Sequence, residues 1–151
     1  MSLKASLFFL MISLFSFPLI GSDEKVKLGL IYGEASYSSK GPLLDLLGAR
    51  LAVQELNSQG GLLGKQVELI ELDNKNTPLG SKAAAQKAVQ EGVIAVIGPS
   101  SSSHALIAGP IFQKAEIPMI SYISTNPEVT LAGDYIFRIC FTNTLQGEIL
   151  A

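Results

Sequence analysis

The stretch Val93-Ile94-Ala95-Val96-Ile97 is apolar on five consecutive residues and is bounded by Gly92 and Gly98. A strand with one wet face alternates apolar and polar side chains, so an unbroken apolar run of this length marks a strand covered on both faces. Helices on both sides of a parallel sheet meet that condition, and the rest of the chain supplies them. Val26 to Tyr32 is a mostly apolar run of strand length. From Pro42 to Asn57, Leu43, Leu47 and Leu51, with Leu44, Ala52 and Leu56, recur at helical spacing before Gly60-Gly61 ends the pattern. Gln66 to Leu72 reads as a second strand, Ser81 to Glu91 as an alanine-rich helix stopped by Gly92, and Ser102 to Ala115 as a third helix. Strands at Pro118 to Tyr122 and Tyr135 to Arg138 flank a short helical turn at Pro127 to Leu131, and Leu145 to Ala151 opens another helix. The alternation predicts βαβ units with right-handed crossovers, an α/β, Rossmann-like parallel sheet with helices on both faces.

At 151 residues the chain is sized for one domain, and its ends narrow where it works. Lys4 followed by the apolar stretch Ala5 to Ile20, interrupted by serines and Pro18, has the layout of a secretory signal and is short for a membrane span. Residues 1–22 are therefore read as a signal peptide, cleaved near Gly21 or Ser22, which makes the product periplasmic or otherwise extracytoplasmic. The formal net charge is −2, with no basic patch, which excludes a nucleic-acid or polybasic membrane-surface role and leaves small molecules or proteins as partners. Cys140 is the single cysteine, so no internal disulfide forms, and between Ile139 and Phe141 it reads as a buried, inert thiol.

The apolar strand leads into Gly98-Pro99-Ser100-Ser101-Ser102-Ser103-His104, four hydroxyls in a row at the start of a helix. In open α/β sheets, ligands bind at the carboxyl ends of the strands, where such loops meet helix N-termini. A helix N-terminus presents unpaired N–H groups and partial positive charge, and serines add hydroxyl donors, a combination suited to a carboxylate or other small anion. The plain alternative is one capping serine with solvated neighbours. A second loop, Ser121-Tyr122-Ile123-Ser124-Thr125-Asn126-Pro127-Glu128, leaves the next strand and again enters a helical turn, so two hydroxyl-rich loops converge on one end of the sheet. Carbonyls there can accept from an ammonium and the Thr125 hydroxyl can serve either charge; equally, Thr125 or Asn126 can simply cap the turn.

Three runs, ELNSQGGLLGKQVELIELDNKNTP, IGPSSSSHALIAGPIFQKAEIPMISYISTNPEVT and YIFRICFTNTLQGEILA, together resemble the first lobe of type 1 periplasmic solute-binding proteins of the branched-chain amino-acid (leucine-binding-like) group. The resemblance covers nearly all of the chain after the signal. It implies that residues 23–151 are the N-terminal ligand-binding lobe of a receptor that closes around an amino acid and presents it to an ABC transporter permease. It further implies that Ser102, with Ser101 beside it, donates to the ligand carboxylate, that Ile123 and Thr125 serve the amino-acid head, and that Tyr37 in the first strand-to-helix loop touches the ligand. Departures accompany it: the second lobe is absent, so the chain reads as truncated or as completed by a separately encoded lobe, and Asn143 stands where many relatives carry an acidic residue.

Other classes fit less well. His104 adjoins the serines, but neighbours at a helix start point about 100° apart and no G-x-S-x-G elbow is present, so the chain is read as a non-enzyme. Tyr32-Gly33-Glu34-Ala35-Ser36 is not a dinucleotide fingerprint, no phosphate-binding loop occurs, and no cofactor is expected. Glu71 and Asp73 share a strand face without a third ligand, which reads as a solvated strand end and not as a metal site. A secreted amino-acid or amide sensory domain, and a truncated fragment without function, remain as alternatives.

Overall fold

The computed structural model describes residues 24–33 and 44–151, so Tyr37 and the leader 1–22 lie outside the described residues. Five strands, β1 (Val26–Tyr32), β2 (Val67–Asp73), β3 (Ala95–Ile97), β4 (Met119–Ser121) and β5 (Ile136–Arg138), form one sheet in the order β2-β1-β3-β4-β5. Every neighbouring pair is parallel. Among the described residues, four helices, α1 (Leu44–Ser58), α2 (Pro78–Glu91), α3 (Ser102–Ala115) and α4 (Asn143–Leu150), and a 3-10 turn at Pro127–Ala132 connect and flank it. The order reverses beside β1, which puts a switch point, the usual place for a ligand crevice, next to the carboxyl end of β3.

Local chemistry sets the boundaries. The Thr77 hydroxyl accepts from the Gly80 amide, Pro78 sits at the first helical position of α2, and Gly92 ends it in the left-handed conformation. Ser102 to Ala115 is a helix with the bounds the sequence indicates, closed by Glu116 at φ 56°.

Register explains where the core sits. Gly29 lies opposite Val96, Val96 opposite Met119, and Met119 opposite Ile136, giving one row across four strands. That row meets Ala84, Ala85 and Ala88 of α2, Ala105, Ala108 and Phe112 of α3, and Val129 of the 3-10 turn, all buried. Burial of this kind stabilises by about 25 cal/mol per Å² of apolar surface, and the small residues of α2 let its backbone approach α3 closely.

The neighbouring row, Leu30, Ile97, Ile120 and Phe137, faces the other way. Among the described residues, α1 is the helix packed on that side, against β1 and β2. Leu30 is buried, but Ile97 is 37% and Phe137 48% exposed. The expectation that Val93 to Ile97 is covered on both faces is therefore corrected: Val93 and Val96 are buried, whereas Ile94 is 54% exposed. The helical periodicity of α1 is present, but Leu44, Leu47, Leu51 and Leu56 are exposed and only Leu46 is buried. Between α1 and the sheet is an open hollow of about 300 Å³ lined by Leu30, Leu44, Gly48 and Ile97, beside which the Tyr122 hydroxyl donates to Asp45 Oδ2 at 2.7 Å. Cys140 is only partly buried, which corrects the expectation of a fully buried thiol.

Candidate functional site

The chain leaves β3 through Gly98, whose φ of 93° and close approach to the Ile31 carbonyl oxygen leave no room for a Cβ. The turn is thereby held hard against β1, and its end is the N-terminus of α3. Ser101 occupies the N-cap position with extended backbone, yet its side chain caps nothing: the Ser101 and Ser103 hydroxyls pair with each other at 3.0 Å. In α2, α4 and the 3-10 turn the caps are filled, by Thr77, by Thr142 accepting from the Leu145 amide, and by Asn126 accepting from the Glu128 amide. The first-turn N–H groups of α3 thus stay available, next to three partly or fully exposed serines, at the positive end of the helix dipole.

The β4 loop is built on the opposite principle, with its inner hydroxyls consumed. Ser121 and Ser124 are fully buried, and both hydroxyls donate to the Pro99 carbonyl, at 3.2 and 3.4 Å. The Ser124 amide donates back to the Ser121 hydroxyl. Across the gap, the Asn126 amide donates to the Ser102 hydroxyl at 3.3 Å, so the two serine-bearing loops are directly linked. Of the residues expected at the site, Ser101, Ser102 and Thr125 come together here, partly exposed, with Ile123 at the rim, 44% exposed. The Thr125 carbonyl accepts from the Asn143 amide at 2.9 Å, which leaves its hydroxyl and the second lone pair of that carbonyl as groups to offer. The capping alternative for this loop is realised by Asn126, not Thr125.

Two supports went unread in the sequence. Arg138, at the end of β5, donates to the carbonyls of Ser124, Asn126 and Pro127 and to the Thr130 hydroxyl, with distances of 2.7 to 3.3 Å. One guanidinium therefore fixes the whole β4 loop through its backbone, using the fork of donors that lysine lacks. Its signal is a single charge inside the apolar run Ile136-Phe137-Arg138-Ile139. His104 is the other: in the first turn of α3 it is only 5% exposed, and its Nδ1 lies 3.3 Å from Asn74 Nδ2. Burial pushes its pKa below the ordinary histidine value. Glu71 and Asp73 are engaged with cations, Glu71 with Arg50 at 2.7 and 2.8 Å and Asp73 with Lys75. Among the described residues no group of three acidic, histidine or cysteine side chains could hold a metal, and no helix is long and apolar enough to cross a membrane.

Residues 25–150 match the family model described as periplasmic binding protein. The chain belongs to this family. The leucine-specific-binding protein of Salmonella typhimurium is 36% identical over 109 residues, which is 72% of this chain and 30% of that protein. A substrate-binding protein of Desulfitobacterium hafniense solved with leucine superposes with a TM-score of 0.75 at 31% identity, over 84% of this chain and 37% of that one. A branched-chain amino acid binding protein of Streptococcus pneumoniae, solved with isoleucine, gives 0.73 at 32% identity, over 79% and 34%. This periplasmic binding protein chain thus spans about 30% of the length of the curated relatives it matches, and those relatives are binding proteins.

Proposed function

We propose that residues 23–151 are the first ligand-gathering lobe of an extracytoplasmic receptor that delivers a branched-chain or related amino acid to an ABC transporter permease. Residues 1–22 direct its export. The carrying observation is the uncapped N-terminus of α3 beside the β4 loop: free N–H groups and the Ser101 and Ser102 hydroxyls suit a carboxylate, while Thr125 and Ile123 border the place the ammonium and side chain would occupy. The relatives solved with leucine and isoleucine support the ligand class. The role is binding without covalent chemistry, because Ser101 and Ser103 pair with each other and His104 Nδ1 faces Asn74.

The described residues offer one wall of a site. A carboxylate held there remains in contact with water, where charge-assisted hydrogen bonds are worth far less than in an enclosed cleft. Millimolar binding of leucine is the expected outcome for this chain alone, tightened when a second lobe, in the same polypeptide or encoded separately, closes over it. Titration of L-leucine into the 15N-labelled chain tests this: amides of Ser102, Ser103 and Thr125 should shift, and leucine methyl ester, which lacks the carboxylate, should leave the serine amides unmoved. Equal shifts with acid and ester, or none at these amides, would overturn the reading.

A further inference from the structure

Behind the serine loop lies a buried polar cluster. Asn74, Ser81 and His104 come from the β2–α2 turn, α2 and α3, and all three are buried. Asn74 Nδ2 donates to Ser81 Oγ at 2.9 Å and lies 3.3 Å from His104 Nδ1. The orientation of the Asn74 amide is fixed, because its Oδ1 accepts from the Asn76 amide at 2.8 Å. The nitrogen therefore faces the imidazole, and His104 Nδ1 must be the acceptor, which makes the imidazole neutral with its proton on Nε2. The turn that carries Asn74 cannot drift away, since the Asn74 carbonyl accepts from the Thr77 amide and touches Gly80, where any Cβ would collide with it.

His104 is the third residue of α3, two beyond Ser102, so whatever holds its ring also sets the first turn of the helix. We propose that Asn74 and His104 are positioning residues that clamp the first turn of α3, with Ser101 and Ser102 on it, and that the clamp holds only while His104 is neutral, so that mild acid releases the bound amino acid. Protonation at Nδ1 would set an N–H of His104 against the N–H of Asn74, two donors without an acceptor between them. The release of ligand rests on the amino-acid reading above; the clamp does not.

Charged groups in the elements packed on α3 do not counter this. Asp73 and Lys75 pair with each other on either side of Asn74. Lys82 of α2 and Glu128 of the 3-10 turn are exposed, and Arg138 of β5 is engaged with the β4 loop. Burial lowers the pKa of His104, in the same direction as a hydrogen bond accepted by neutral Nδ1. A histidine whose pKa is depressed in the folded state is charged more readily when unfolded. The stability it confers is therefore present above about 6.5, the unfolded value, and is lost as pH falls through the lower folded value.

His104 is the single histidine, so one imidazole signal reports it without assignment ambiguity. The experiment is a pH titration of the full chain, labelled with 15N, followed both at the imidazole and at the amides of Ser101 to Ser103 with no ligand present. The expected result is an Nε2–H tautomer at neutral pH and serine amides that move with the imidazole midpoint. In His104→Gln, whose carbonyl oxygen can accept from Asn74 at any pH, those amides should stop responding to acid while the fold is kept. Asn74→Asp, which offers a carboxylate to the protonated ring, should raise the imidazole midpoint by at least one pH unit. In the original chain the leucine Kd should weaken at least fivefold between pH 7 and pH 5, within the usual range of coupling between sites, and stay level in His104→Gln. Serine amides that ignore the imidazole midpoint, or that respond equally in His104→Gln, would overturn the clamp. If leucine fails to bind at any pH while the amides still follow His104, the clamp stands and the amino-acid reading falls.

Discussion

Two rows of side chains run next to each other across the same four strands, one residue apart, and meet different fates. Gly29, Val96, Met119 and Ile136 are closed over by α2, α3 and the 3-10 turn, while Leu30, Ile97, Ile120 and Phe137 pass from burial under α1 to half exposure at β5. Both rows are apolar, so the difference is not in residue type. It lies in cover: an apolar run shows that a strand can be buried on both faces, whereas the connecting elements decide whether it is. The largest test of this contrast compares two phenylalanines. Phe112 of α3 is fully buried against the closed row, and Phe112→Ala should lose about 3–5 kcal/mol in urea unfolding, a transfer loss plus an unfilled cavity. Phe137→Ala should lose less than about 1 kcal/mol, as expected for a half-exposed site. Equal losses would mean that the open row is covered in solution.

Much of this architecture is legible in the sequence because periodicity and glycine punctuation are local. The helix from Ser102 to Ala115 and the five strands follow from runs and stops within a few residues of each other, and the convergence of the two serine loops follows from strand adjacency. What could not be read is pairing at a distance. Arg138 grips carbonyls 11 to 14 residues back along the chain, and Asn74 meets His104 across 30 residues. The local pattern flags Arg138 only as a lone charge in an apolar run and does not name its partners, and a histidine in a first helical turn has an ordinary solvated alternative. The exposed leucines of α1 escaped for the same reason: spacing shows that a helix has an apolar stripe but does not show what meets it.

The second test concerns how α1 is held on the open side. Asn57 works like a neighbouring strand at the edge of β2, with Nδ2 donating to the Val67 carbonyl and Oδ1 accepting from the Val67 amide, at 2.8 and 2.7 Å. Asn57→Ala leaves both backbone groups without this partner and should destabilise by about 1–3 kcal/mol in the same unfolding measurement. A loss below experimental scatter would show that water replaces the side chain freely and that α1 is anchored by Leu46 instead. A third test leaves the fold alone. Phe137 and Ile139, 48% and 77% exposed, contribute an apolar surface of the kind that drives association. In sedimentation at several concentrations the chain should self-associate, and the double variant Phe137→Ser, Ile139→Ser should do so less at unchanged Tm. Superimposable concentration curves would rule out this surface as the contact.

The smallest effect lies where the open row reaches β2, at Glu71, which pairs with Leu30 in the strand register and receives both donors of Arg50 from α1. It is a bidentate contact with good geometry, but its side chains are 54% and 31% exposed, so salt and water screen it and side-chain ordering offsets part of the gain. The hydrogen bonds from Arg50 hold the Glu71 carboxyl below its usual value, and the sign of the pH dependence follows. A depressed carboxylate pKa adds stability above the unfolded value of about 4.3, and that stability disappears as pH falls through the lower folded value. Arg50→Met keeps the apolar stem and removes the donors, so its Tm should fall slightly below that of the parent chain at pH 7 in low salt. The two should converge below pH 4 and also at high ionic strength. A deficit that persists in acid, where the Glu71 carboxylate is neutral, would show that the arginine contributes by something other than its pairing with that charge.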